Sequence, residues 1–355
     1  MSGQEKKTYL DFIKYAIGDE TVIPDGLESI EWYDFLQFCN RHGIIGLVFD
    51  GIQKADLRFN QNILFQWLSY TEEIKKQNQI ANQRIGQIQH FFEEKNCRTC
   101  ILKGQANGLM YPKAEVRSPG DIDIWVEGDA IDIIKIVQGV VPNASYSLHH
   151  IKMPVFKDVS VEVHYRPANM TSRKLDKRLQ TYVKEVANDQ FSHKVQLGDI
   201  EIGCLTDKFN TLYQILHMYG HFFATRNSFK QFIDYYYLLK KGLTKDEKDG
   251  CRQMFKTLKL EKYVAGIMWI MTEVLGLEDS YIIGAKNERE GRLILDESFC
   301  YGTFSNNTFR SVVEQTLANV RILNHYPAEV LNGPVYLIWH QWWKFKMKLA
   351  LKKYN

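Results

Sequence analysis

Two aspartates two residues apart, in Asp121-Ile-Asp-Ile-Trp-Val126, are the side chains best placed for chemistry in this 355-residue chain. On a β-strand, residues i and i+2 point to the same side, so Asp121 and Asp123 share one face. At a separation of about 6 Å their charges repel by roughly 3 kcal/mol at an effective dielectric of about 20. Aspartate is also depleted in strands. A divalent cation offsets that repulsion, because hard cations such as Mg²⁺ take carboxylate oxygens and substrate phosphates together. The interleaved Ile122 faces the other way and anchors the strand.

A second polar-striped strand repeats the pattern. In Val161-Glu-Val-His-Tyr-Arg166, Glu162, His164 and Arg166 lie on one side and Val161, Val163 and Tyr165 on the other. If the two strands are neighbours, Glu162 adds a third carboxylate. Three carboxylates around one or two Mg²⁺ ions make a metal-binding site for in-line phosphoryl or nucleotidyl transfer. Upstream, Ile101-Leu-Lys-Gly-Gln105 ends a strand at a glycine and opens a helix, so its backbone N–H groups can face an anion. Lys103 adds positive charge there, and Arg117, four residues before Asp121, is near enough in chain to reach the same phosphate tail. His164 orients a carboxylate, touches substrate, or is a strand-surface histidine. Arg166 binds phosphate or pairs with Glu162.

The elements that must position these residues fall into three zones: a helical region over 1–96, a nucleotide-site core over 97–203, and a helical region over 204–355. Leu64, Trp67, Leu68, Ile74, Ala81, Ile85, Ile88 and Phe92 recur at the spacing of one helix face. In the middle zone, Thr99–Lys103, Asp121–Val126, Ser147–Lys152 and Val159–Arg166 read as strands, with helices at Gln105–Met110 and Asp129–Gln138. Alternating strands and helices favour a small mixed sheet with helices packed on it, an α+β arrangement with helical flanks. Beyond it, Thr206 is a plausible N-cap for a helix carrying Phe209, Leu212, Leu216, Tyr219 and Phe223.

Together, Leu102-Lys-Gly104, Tyr111-Pro112, Arg117-Ser-Pro-Gly-Asp-Ile-Asp-Ile124 and Val161-Glu-Val-His164 resemble the uncharacterised bacterial nucleotidyltransferase family, within the polymerase-β-type nucleotidyltransferase superfamily. The resemblance covers about 99–166. It implies a transferase that binds a nucleoside triphosphate, with Asp121, Asp123 and Glu162 as catalytic residues and Mg²⁺ ligands. Lys103, Gly104, Gln105, Arg117 and His164 would contact the bound nucleotide, and Gly104 would begin the phosphate-facing turn. Two departures stand out: Gln105 occupies the place usually held by Gly or Ser, and Glu162 the place often held by Asp. The acceptor hydroxyl, on a small molecule, a protein or an RNA end, is not legible. The rival reading is a catalytically silent protein of the same fold that binds a nucleotide or a partner.

Other features are read as structural. His217 and His221 have two-ligand spacing on a helix, but Met218 stands where the zinc-protease pattern needs Glu. Asp234, on an apolar helix, pairs with a core Arg or His or projects toward the active cleft, the structural role being favoured. Cys97-Arg-Thr-Cys100 lacks a second such pair. The segment 335–355, with Trp339, Trp342, Trp343 and five lysines, reads as a packed terminal helix, with contact to a membrane surface or nucleic acid as the less favoured alternative. Lys+Arg total 45 and Asp+Glu 42, giving +3, too near neutral to announce a nucleic-acid binder. With no run of about 18 apolar residues, no secretory signal and six cysteines, the expectation is a cytoplasmic protein.

Overall fold

The structure, a computed structural model, describes residues 2–300, 320 and 322–353. In chain order the elements are α1 (Gly3–Ile17), α2 (Trp32–His42), α3 (Ile45–Lys54), α4 (Gln61–Glu93), β1 (Thr99–Ile101), α5 (Gln105–Gly108), β2 (Ile122–Val126), α6 (Ala130–Val140), β3 (His150–Lys152), β4 (Val161–His164) and α7 (Arg173–Ser192). There follow β5 (Lys194–Leu197), β6 (Ile200–Gly203), α8 (Asp207–Ala224), α9 (Phe229–Lys240), α10 (Lys245–Thr257), α11 (Glu261–Trp269), α12 (Glu288–Ser298) and α13 (Pro327–Lys353). Among these helices none is long and apolar enough to cross a membrane.

The architecture is α+β, but its compact units do not follow the zones 1–96, 97–203 and 204–355. One unit takes residues 2–79, 107–119 and 224–300; the other takes 80–106, 120–223, 320 and 322–353. Zones drawn along the chain miss this because residues 224–300 return to the N-terminal helices, while α4 is divided between Gln79 and Ile80.

The first unit is helical. Phe12, Phe35, Phe38 and Trp67 from α1, α2 and α4 are fully buried, as are Phe229, Phe232 and Tyr235 of α9. Helix starts are fixed locally: Ser2 and Glu5 close α1 with a reciprocal capping box, and Thr244 and Glu247 do the same for α10.

The second unit is built on a four-stranded sheet of order β1-β2-β4-β3. β2 and β4 are parallel, and the outer pairs are antiparallel. All five residues of β2 are buried, so the strand expected to alternate is covered on both faces. On one face Ile122, Ile124, Val126, Val161 and Val163 pack with Ile85, Ile88 and Phe92 of α4 and Ile133, Ile134 and Val137 of α6. Met347 of α13 joins this core, with Trp343 and Leu351 packed against it, so that side of the terminal helix is a packing surface. Trp342, Phe345 and Leu349 remain exposed, and Tyr354 and Asn355 lie outside the described residues.

The opposite face of the sheet carries Asp123 and Trp125 of β2 with Glu162 and His164 of β4. Trp125 is covered by Phe191 of α7, at 4.5 Å between ring centroids, and by Phe209 of α8. Thr206 caps α8 as expected, its hydroxyl accepting from Phe209 N. The β5–β6 hairpin, absent from the sequence reading, turns through Gly198-Asp199 and lies against β1. Gly203 permits that approach, since a Cβ there would strike the carbonyl of Thr99.

Candidate active site

Parallel pairing of β2 and β4 sets Asp123 opposite Glu162 and Trp125 opposite His164. Side chains two apart then share a face, so Asp123, Glu162 and His164 converge with ligand atoms all within 4.8 Å of one another. Their exposure is graded. Asp121 stands ahead of β2 and is exposed, Glu162 is partly buried, and Asp123 is 2% exposed.

Asp123 is held from two sides. His164 Nε2 lies 3.1 Å from Oδ1, placed to donate, and Lys103 Nζ lies 3.1 Å from Oδ2. The lysine is an ion-pair partner without hydrogen-bond alignment, and buried Oδ2 accepts no hydrogen bond. Burial works to raise the Asp123 pKa, but Lys103 and His164 outweigh it and hold the carboxyl at about 2. Glu162 goes the other way: burial, then the charge of Asp123 and in smaller part that of Asp121, raise its pKa above the ordinary value. The two carboxylates on one rung are thus driven apart in acidity, as in acid–base pairs generally.

The turn after β1 differs from expectation in part. Gly104 has φ +67°, the left-handed region, so backbone geometry selects glycine there while space does not: a Cβ would lie 3.7 Å from the Asp121 carbonyl. The helix that follows, α5, has only four residues, too short for a substantial macrodipole. Gln105 donates from Nε2 to Asn82 Oδ1 at 2.9 Å.

Arg117 is the correction. It is 5% exposed and binds Asp234 bidentately through one guanidinium edge, Nε to Oδ1 and Nη2 to Oδ2, each at 2.7 Å. Tyr111 and Asn107 also donate to Asp234, and Asn78 donates to the carbonyl of Arg117. The guanidinium is committed to this buried pair, so a phosphate contact for Arg117 is set aside and Asp234 has the structural role expected of it. Arg166 pairs with Asp176 at 3.6 Å, not with Glu162.

Sequence reasoning missed His149 and His150. His150, on β3, is the register partner of His164, and its Nε2 lies 3.7 Å from Glu162 Oε1. A bend before β3 breaks the strand alternation and lays His149 Nε2 2.9 Å from His150 Nδ1. Burial lowers both pKa values, that of His150 to about 3, so both rings are neutral at physiological pH. The adjacent His-His pair, one strand from Glu-x-His, was the available signal. His217 of α8 is partly buried, and burial lowers its pKa, with Lys103, His221, His164 and His149 near enough to depress it further.

Comparison with known proteins bears on this geometry. A family model described as an uncharacterised nucleotidyltransferase matches residues 28–276. No curated protein matches. The crystal structure of an antigenic nucleotidyltransferase-like protein from Paracoccidioides brasiliensis is similar at 12% identity and a TM-score of 0.32, over 62% of this chain and 97% of that one.

Proposed function

The chain belongs to the uncharacterised nucleotidyltransferase family, and from that premise we propose that it moves a nucleoside monophosphate from a nucleoside triphosphate to an acceptor hydroxyl with the help of Mg²⁺. The observation that carries the proposal is the rung of β2 and β4 on which Asp123 and Glu162 oppose each other, with buried Asp123 Oδ2 met only by the Lys103 ammonium at 3.1 Å. A buried carboxylate oxygen that already faces a positive charge fits a hard cation in that charge's place, since such ions take oxygen ligands. Asp121, Asp123 and Glu162 would hold the metal, which supplies charge neutralisation at the phosphates and a more acidic acceptor hydroxyl.

The rest is work for this chain's own groups. The acceptor oxygen attacks the α-phosphorus, the bond to the bridging oxygen breaks, and pyrophosphate leaves. Glu162, its proton affinity raised by burial and by Asp123, takes the hydroxyl proton at a carboxylate oxygen. Lys103, 27% exposed, is free to turn from Asp123 to the phosphate tail. His164 keeps Asp123 in orientation. A small molecule, a protein or an RNA end is the acceptor class.

The test is incorporation of label from α-labelled nucleoside triphosphates, with pyrophosphate release, by the purified chain in Mg²⁺. Asp123→Asn is expected to lower turnover by about 10³-fold, in the range that loss of one electrostatic catalytic group costs. Equal turnover in the variant rejects the assignment. A second reading, a silent nucleotide-binding protein, is favoured by Lys103, whose ammonium already neutralises Asp123. It predicts a nucleotide-dependent rise in melting temperature that needs no Mg²⁺ and no turnover.

A further inference from the structure

We propose that His149, His150 and His164 form a binding site for a divalent transition metal of the Zn²⁺ type, beside the carboxylates and separate from their use of Mg²⁺. One ring nitrogen of each histidine lies within 4.8 Å of the others. Imidazole nitrogen is a ligand for zinc and its neighbours, whereas magnesium prefers oxygen. At Zn–N bonds of about 2.0–2.1 Å, ligand nitrogens sit roughly 3.4 Å apart, so small ring rotations close the set.

The site is built into the sheet. His150 and His164 face each other across the β3–β4 ladder. The carbonyl of His149 accepts the backbone N–H groups of Tyr165 and Arg166, which ties the bend to the end of β4. With His164 Nε2 turned to Asp123, its Nδ1 keeps a lone pair and, although buried, meets no hydrogen-bond partner. Nδ1 of His149 is likewise buried and unpartnered. Unpaired buried nitrogens are costly for a structure that gains nothing from them. A carboxylate behind a metal-binding histidine, as Asp123 stands behind His164, is the usual support that fixes the tautomer. Glu162 lies 3.7 Å from His150 Nε2 and 4.0 Å from His164 Nε2, the nitrogen turned to Asp123, so it stays with the carboxylate set and a water takes the fourth position.

The probe is Zn²⁺ alone, titrated into chelator-stripped full-length protein against a colorimetric chelator. About one equivalent is expected to bind and to raise the melting temperature, because it joins β3 to β4. The double variant His149→Gln, His150→Gln should bind at least about 10–100-fold more weakly, the loss that a supporting group alone produces. Equal zinc uptake by the variant overturns the proposal. If the variant does not fold, Co²⁺ bound to the native chain decides: visible bands of nitrogen and oxygen ligation support the site. No such bands, or a thiolate charge-transfer band from Cys204, whose Sγ lies 3.3 Å from His193 Nδ1, overturn it. Asp121→Asn should leave zinc binding unchanged while abolishing nucleotidyl transfer, so failure of either reading is seen without the other.

Discussion

Two buried aspartates, Asp234 and Asp123, show how similar ingredients end in different roles. Asp234 takes two N–H groups of Arg117, a tyrosine hydroxyl and an amide, so both of its oxygens are hydrogen-bonded. Its pKa is lowered because Arg117 outweighs burial. Asp123 has one hydrogen-bonded oxygen, one oxygen with none, and a lysine that reaches solvent. The first arrangement is saturated and holds a helix to a loop within its unit. The second retains unused capacity, which is what a ligand site requires. Burial of a charge therefore does not distinguish structure from function; the number of contacts left open does.

Removing Asp234 should have the largest effect on stability. Asp234→Ala leaves Arg117 buried and uncompensated, and a loss of about 3–5 kcal/mol is expected in urea unfolding. The double change Arg117→Met, Asp234→Leu should recover most of it; no recovery would mean that the pair matters for more than its charges. Asp123→Asn should cost less, about 2 kcal/mol at neutral pH as a carboxyl held near 2 implies, because Lys103 can turn to water. Its sign with pH follows from the depressed pKa. A carboxyl held at about 2 against an ordinary 3.8 contributes stability above pH 3.8, and this is lost as pH falls toward 2. Stability curves of the native chain and Asp123→Asn should accordingly converge between about pH 4 and 2; parallel curves would show that Asp123 is not charged in the fold. Gly104→Ala is expected to cost least, about 1 kcal/mol, from the left-handed backbone alone. A larger loss on the melting curve would place Gly104 under a packing constraint that its open surroundings do not show.

Alternation made the convergence of Asp123, Glu162 and His164 legible, since it places i and i+2 together once two strands are paired. Arg117 was misread because four residues of chain separation said nothing about Asp234, which is 117 residues further on yet in contact. The His149-His150 pair escaped because regular alternation would send the two rings to opposite faces, and only the bend before β3 brings them together. The hairpin β5–β6 had its own mark in Gly198-Asp199, a two-residue turn between apolar stretches. The unit boundaries had none. They follow from long-range packing, and no local composition announces that 224–300 rejoins the N-terminal helices.

Lys103 has a consequence for how the protein meets its surroundings. A tethered ammonium beside Asp123 offsets its buried charge from within the chain. The same tether makes every incoming cation a competitor, so the threshold at which the pocket changes hands depends on ambient ion concentration. Lengthening or shortening that one side chain would move the threshold while leaving the sheet beneath it intact.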